Sequence, residues 1–322
     1  MLDERASGIL LHPTSLPGPH GIGDLGPASH RWLDWLGSTG CGYWQVLPLG
    51  PTGYADSPYQ SFSSFAGNPY LISPQALVET GLLPAEELDT LPPFPDGLVD
   101  YGLVIPWKLD LLARVTASLR DRPPRGFAAE VAAFQSENAN WLDDYALFMA
   151  LKAEHGSGSW LEWPAELRRR DPATLAEARD RLAPDVDHHI IVQYLFFRQW
   201  QSLRDRAHRL GIRIIGDIPI FVALDSSDVW ANPQLFQLDD DRRPTVVAGV
   251  PPDYFSETGQ LWGNPLYRWE AHAESGFAWW ISRIRAAIEL VDVIRIDHFR
   301  GFVDYWEIPA GAPNAVEGRW VD

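Results

Sequence analysis

The sequence predicts an α/β fold built on a parallel sheet, and three stretches carry that prediction. A long amphipathic pattern over about 186–210 stops at Gly211 and gives way at once to Ile212-Arg213-Ile214-Ile215-Gly216-Asp217, a β-branched strand closing on an acid. Helix, glycine cap, buried strand and acidic strand end is the repeating grammar of βαβ units. A second run, Val291-Asp292-Val293-Ile294-Arg295-Ile296-Asp297, has the same character, because its stiff β-branched residues suit an extended strand better than a helix. Residues 8–12 and 43–47 add a further two strands around a helical pattern at 29–36, for about four strands in all.

In chain order, the strand at Gly8-Ile9-Leu10-Leu11-His12 runs into Pro13-Thr14-Ser15-Leu16-Pro17. Gly21, Gly23 and Gly26 then form a G-x-G-x-x-G. A dinucleotide fingerprint needs those glycines at the strand-to-helix turn itself, and here two prolines and a glycine intervene. The stretch reads as a shaped loop, and a nucleotide-dependent oxidoreductase rests on this match alone. The helix at 29–36 can end at Gly37 or Gly40. After the strand at 43–47, residues 48–60 mix turn formers and hydroxyls with Tyr54, Ser57 and Tyr59. Such a loop fits either ligand contacts or an aromatic cover over the core, and composition leaves both open.

Residues 73–126 are Pro-rich, with helical patterns near 84–91 and 108–119. Further helices are expected at 128–134, 142–154 and 173–182. The organisation that follows is a barrel-like start at 1–72, a mostly helical inserted subdomain at 73–185, and a continuation at 186–322. Residues 238–245 read as a solvated hairpin tip. Residues 247–265 are too irregular for a regular element and long enough for a lid or binding loop.

Composition narrows the function. The net charge of −17 argues against nucleic acid or an anionic membrane as partner. A single cysteine, Cys41, excludes an intrachain disulfide and fits a reducing cytosol, so a cytoplasmic location is expected. The first residues, Met1-Leu2-Asp3-Glu4-Arg5, do not read as a signal peptide, and no apolar run of membrane-spanning length occurs. His188 and His189 are adjacent on a helix and point apart, so no shared metal is expected there. Nothing fixes an oligomeric state, and a monomer is favoured. The 15 Trp, 27 Pro and 26 Gly suggest shaped loops carrying flat aromatic surfaces, which suit sugar rings.

Chemistry concentrates at two strand ends. On a strand Arg295 and Asp297 share one face, and a guanidinium beside a carboxylate favours its ionised form. That makes Asp297 a candidate nucleophile, although an Arg-x-Asp pair also serves as a structural ion pair. Asp217 is expected at the same position on its own strand. Two acids at the same end of parallel strands point to glycosyl chemistry, where carboxylates flank the scissile bond.

Five segments together, Leu10 with His12-Pro13-Thr14-Ser15-Leu16-Pro17, Ser57-Pro58-Tyr59, Gly216-Asp217-Ile218-Pro219, Gly249-Val250-Pro251-Pro252-Asp253-Tyr254-Phe255 and Arg295-Ile296-Asp297-His298-Phe299-Arg300-Gly301, resemble the amylomaltases, the bacterial 4-α-glucanotransferases of the α-amylase clan. The match runs in order along essentially the whole chain. The resemblance implies a (β/α)8 TIM barrel with inserted subdomains, of which this chain holds about the first half, and no cofactor or metal. It implies transfer of α-1,4-glucan segments among maltooligosaccharides, amylose or starch-type glucans by a retaining double displacement through glycosyl-Asp297.

By the same resemblance Arg295 orients Asp297, Asp217 holds the donor sugar, Tyr59 stacks on it with Ser57 nearby, and His298 lies in the same motif. Tyr254, Phe255, Gln260 and Trp262 arch over the site, while Tyr54 and Tyr101 mark a second glucan groove. The family's acid/base Glu, in a Glu-Asp-Leu-Gly context, does not occur here, nor does its later third Asp. The chain therefore reads as the N-terminal portion of a longer enzyme, inactive alone. An α-amylase-like hydrolase and a non-catalytic glucan-binding protein remain the alternatives.

Overall fold

A computed structural model describes residues 5–322. Residues 1–4, most of the segment read above for a leader, lie outside it. Its strands are β1 (Gly8–Leu10), β2 (Tyr43–Gln45), β3 (Arg213–Pro219), β4 (Val246–Val250), β5 (Gln260–Pro265), β6 (Val293–Asp297), β7 (Tyr305–Pro309) and β8 (Arg319–Val321). The helices are α1 (Pro27–Ser38), α2 (Pro74–Glu79), α3 (Tyr101–Asp121), α4 (Phe127–Glu137), α5 (Leu142–Glu154), α6 (Ala165–Arg168), α7 (Pro172–Arg181), α8 (Ala183–Arg209), α9 (Ser227–Ala231), α10 (Trp269–Glu274) and α11 (Ala278–Leu290).

Strands β1, β2, β3 and β6 are parallel neighbours in that order. They form an open four-stranded parallel sheet, consistent with the (β/α)8 barrel architecture expected. Alternation along each strand splits the sheet into two faces. Trp44 and Ile214 face the helices and are fully buried, packed with Leu33 and Leu36 of α1 and with Trp200, Leu203 and Ala207 of α8. Leu10, Gln45, Ile215 and Val293 form one in-register row on the opposite, less covered face. Asp217 and Arg295 lie one level further along that open face, and Asp297 two.

The ends of α8 explain why β3 and β6 are neighbours. Gly211 takes φ +73° and closes the helix, with Gly211 N–H donating to His208 O at 3.0 Å and Ile212 N–H to Ala207 O at 2.9 Å. Asp292, just before β6, then accepts from Ile214 N–H at 2.8 Å, from Arg204 Nη2 at 2.9 Å and meets His208 Nε2 at 2.9 Å. One carboxylate thus ties α8 and β3 to the start of β6.

Several expectations change. Helix α3 begins at Tyr101 rather than 108, because Asp100 caps it by accepting from Leu103 N–H at 3.3 Å and Pro106 is accommodated inside it. The pattern at 84–91 yields only a 3-10 turn, Ala85–Leu88. Residues 247–265, read as an irregular loop, are mostly strand. β4 and β5 form an antiparallel hairpin, and with β7 and β8 a second sheet in the order β5-β4-β7-β8. Its register slips between Val247 and Gly249, where a Cβ on Gly249 would lie 2.3 Å from Gln260 O. Among the described residues no helix is long and apolar enough to cross a membrane.

Candidate active site

Asp297 is the last residue of β6, and Arg295 stands two positions earlier on the same face. Asp217 pairs in register with Arg295, and Pro219 with Asp297. Each acid is the fifth residue of its own strand, the equivalent position expected, but across the sheet the two are staggered by two residues. The stagger arises because interstrand hydrogen bonding, not the distance of each acid from its strand end, sets the register. It gives the guanidinium a place between them. Arg295 Nη1 donates to Asp217 Oδ1 at 2.6 Å and Nη2 to Asp297 Oδ1 at 2.5 Å.

The two carboxylates differ in access. The Asp217 side chain is only 1% exposed, with one oxygen taken by Arg295 and the other by the Tyr59 hydroxyl at 2.7 Å. The Asp297 side chain is 40% exposed, and among the described residues Arg295 is the one hydrogen-bond donor to its carboxylate. Asp217 is therefore a fixed anchor, whereas Asp297 keeps an oxygen open to solvent. Burial works against the charge on Arg295, but the bonds to Asp217 and Asp297 outweigh it and hold its pKa above the ordinary value. Burial, the Asp217 bond and the nearby negative charges push the Tyr59 phenol well above its usual range, so it stays a donor.

The loop carrying Tyr59 is set by its own polar groups. Ser57 Oγ accepts from Tyr59 N–H at 3.3 Å, and Ala55 and Asp56 just upstream adopt φ of +55° and +54°. Non-glycine residues rarely hold that conformation without a surrounding constraint. His298, directly after Asp297, also has positive φ, +52°. Its ring meets Trp262 edge to face at 5.0 Å between centroids. Burial lowers its pKa, with the Asp297 charge opposing that shift. Trp262 Nε1 in turn donates to Gln260 Oε1 at 3.0 Å. Asp217, Arg295, Asp297 and Tyr59 are thus one hydrogen-bonded group, and His298, Trp262 and Gln260 are a second group joined to it through the backbone.

Tyr254 and Phe255 are not drawn in. They sit at the tip between β4 and β5, both fully exposed, while Asp253 Oδ1 orders the turn by accepting from Phe255 N–H at 2.8 Å and Ser256 N–H at 2.9 Å. Tyr54 is likewise exposed. Tyr101 is half-buried beside Ile22 and Tyr70, its pKa raised by burial and by the charge of Asp56. No group of three or more His, Cys, Asp or Glu able to hold a metal occurs among the described residues.

Two supporting positions went unread in the sequence. Arg283 of α11 is buried and donates to Pro219 O at 2.6 Å and Ile220 O at 3.1 Å, which caps the end of β3 beyond Asp217. A lone arginine between Ile281 and Ile284 was the available signal. Gly216 lies where an added Cβ would be 2.8 Å from the Val291 side chain, so only glycine lets β3 approach the segment leading into β6.

Residues 11–322 match a protein-family model described as 4-alpha-glucanotransferase. The chain is 57% identical over 317 residues to the 4-alpha-glucanotransferase of Thermus thermophilus, covering 98% of this chain and 63% of that protein. The chloroplastic/amyloplastic 4-alpha-glucanotransferase of Solanum tuberosum is 44% identical, with 99% and 56% covered. Among solved structures, the amylomaltase from Streptococcus agalactiae in complex with acarbose superposes with a TM-score of 0.95 at 41% identity, covering 99% of this chain and 64% of that one. The chain spans less than two thirds of the length of each of these relatives. By sequence and by fold, it belongs to the 4-alpha-glucanotransferase family.

Proposed function

We propose that Asp297 is the nucleophile of a retaining transfer of α-1,4-glucan segments to an acceptor glucan or glucose. One observation carries this reading: of two acids bridged by Arg295, only Asp297 has an accessible carboxylate oxygen. In the first step an Asp297 oxygen forms a bond to the anomeric carbon as the bond to the departing sugar's O4 breaks and that oxygen takes a proton. In the second, an acceptor 4-hydroxyl loses its proton, attacks the same carbon and releases Asp297.

Arg295 holds Asp297 anionic and aimed, and Asp217 with Tyr59 steadies the donor ring, Ser57 setting the Tyr59 turn. His298 lines the ring's flank. Tyr254, Phe255, Gln260 and Trp262 would favour a glucan over water in the second step. Tyr54 and Tyr101 are proposed to take a remote stretch of the same polymer. The natural partners are maltooligosaccharides and starch-type glucans, acted on in the cytoplasm. Turnover requires a proton donor in a Glu-Asp-Leu-Gly context that this sequence does not contain, so residues 1–322 alone should not disproportionate maltotriose.

The nucleophile can be tested apart from that acid, because fluoride leaves without protonation. Incubation with an α-maltosyl fluoride blocked at C2, followed by peptide mass analysis, should place the sugar adduct on Asp297. An adduct on any other residue refutes the assignment.

A further inference from the structure

The described residues enclose a cleft of about 340 Å3, away from Arg295 and Asp297. It opens between the start of α5, helix α9 and the first turns of α11. Phe65, Trp141, Asp228 and Trp279 form a buried floor, while Asn140, Gln234 and Ser282 stand at the mouth, exposed or half-buried. We propose that this cleft binds one neutral, monosaccharide-sized sugar.

Charge selects the ligand class. Asp144 and Asp228 in the lining oppose an anion. A cation gains little, because the Asp144 charge is already met by Arg170 Nη2 at 2.8 Å and Arg179 Nη2 at 3.3 Å. A neutral ligand with many hydroxyls and apolar ring faces remains, and the cleft offers both kinds of contact. Trp141, Trp279 and Phe65 give flat apolar surfaces. Asn140 and Ser282, bonded to each other at 2.9 Å, can exchange that bond for sugar hydroxyls, and Gln234 adds an amide.

The volume lies at the lower end for small-molecule sites and suits one ring rather than a glucan chain. The cleft floor is tied to the Tyr59 loop, with Asp228 Oδ2 accepting from Ser64 N–H at 2.7 Å and Ser227 N–H donating to Phe62 O at 2.8 Å.

The test is calorimetric titration of the chain with glucose, alongside tryptophan fluorescence. The expected result is saturable binding, weakened about tenfold or more by Ser282→Trp, which fills the mouth, and about threefold or more by Asn140→Ala with Gln234→Ala, which removes contacts at exposed positions without adding volume. Because glucose is also an acceptor in the proposed reaction, the loss caused by the mouth variants should be the same in an Asp297→Asn background. Absence of saturable binding at millimolar glucose overturns the proposal, and so does binding that the mouth variants fail to weaken or that Asp297→Asn alone abolishes. The outcome is separable from that of the trapping experiment, which reads a covalent adduct on Asp297.

Discussion

Replacing Arg295 by Met keeps most of the side-chain stem and removes the fork between the two acids. Asp217, its side chain 1% exposed, would then retain only the Tyr59 hydroxyl. A hydrogen bond to a charged group contributes about 1.5–3 kcal/mol, and stripping one partner from a fully buried ion pair costs about 3–5 kcal/mol. Arg295 is itself 46% exposed, so water replaces part of what is lost and the figure belongs near the lower range, about 2 kcal/mol. The Asp297 half joins two accessible groups and adds less than about 1 kcal/mol. The assay is a double-mutant cycle in urea unfolding, with Arg295→Met, Asp217→Asn and the pair. The expected coupling is about 1–2 kcal/mol, and clearly smaller when Asp297→Asn replaces Asp217→Asn. A coupling below about 0.5 kcal/mol with Asp217, or a larger one with Asp297, would refute the reading of Asp217 as the fixed anchor.

Three further outcomes follow from the same geometry. Asp228 has a folded pKa of about 6, raised chiefly by burial from 3.8, so its contribution to stability is fully present below about pH 4 and lost as pH rises through 6; Asp228→Asn should flatten that part of the stability-pH curve relative to the unmodified chain, and parallel curves would count against the shift. Arg283→Met takes the Arg283 donor from the carbonyl of Pro219 and one of two from that of Ile220, which keeps the Tyr267 hydroxyl, and should lower unfolding free energy by about 1–3 kcal/mol; a loss under about 0.5 kcal/mol in denaturant titration would remove Arg283 from the account of how β3 is held. Tyr254→Ala with Phe255→Ala touches only exposed rings, so stability should stay within about 0.5 kcal/mol, while in an enzyme active on glucans hydrolysis should gain at the expense of transfer; an unchanged ratio of glucose release to chain transfer would deny the tip that role.

How much was legible in the residues depended on how local the signal was. The parallel strands announced themselves through Ile214, Ile215, Val293 and Ile294, and α8 through its period and Gly211, because burial on one side stamps a pattern on adjacent positions. Arg295 beside Asp297 was readable for the same reason, since strand alternation fixes their common face. The stagger against Asp217 was not, as register is decided by a partner 78 residues away. The second sheet escaped because β4 is short and holds Gly249, while β7, which pairs with it, lies far downstream and β5 carries Gly263 and Pro265. Arg283 was overlooked because one arginine on a helix is usually a solvated charge, and only the packing of Trp279 and Trp280 around it reveals a buried one.

The two-residue offset between Asp217 and Asp297 converts sequence position into depth. At about 3.3 Å per residue, it sets two chemically identical acids some 6–7 Å apart along the strand direction. Anything approaching from the open side of the sheet meets the outer acid first, with a lone pair to spare, while the inner one is saturated by a phenol and a guanidinium. A slip that levelled the two would expel the arginine and leave like charges abreast, so the pairing of β3 with β6 is itself a determinant of which acid stays accessible.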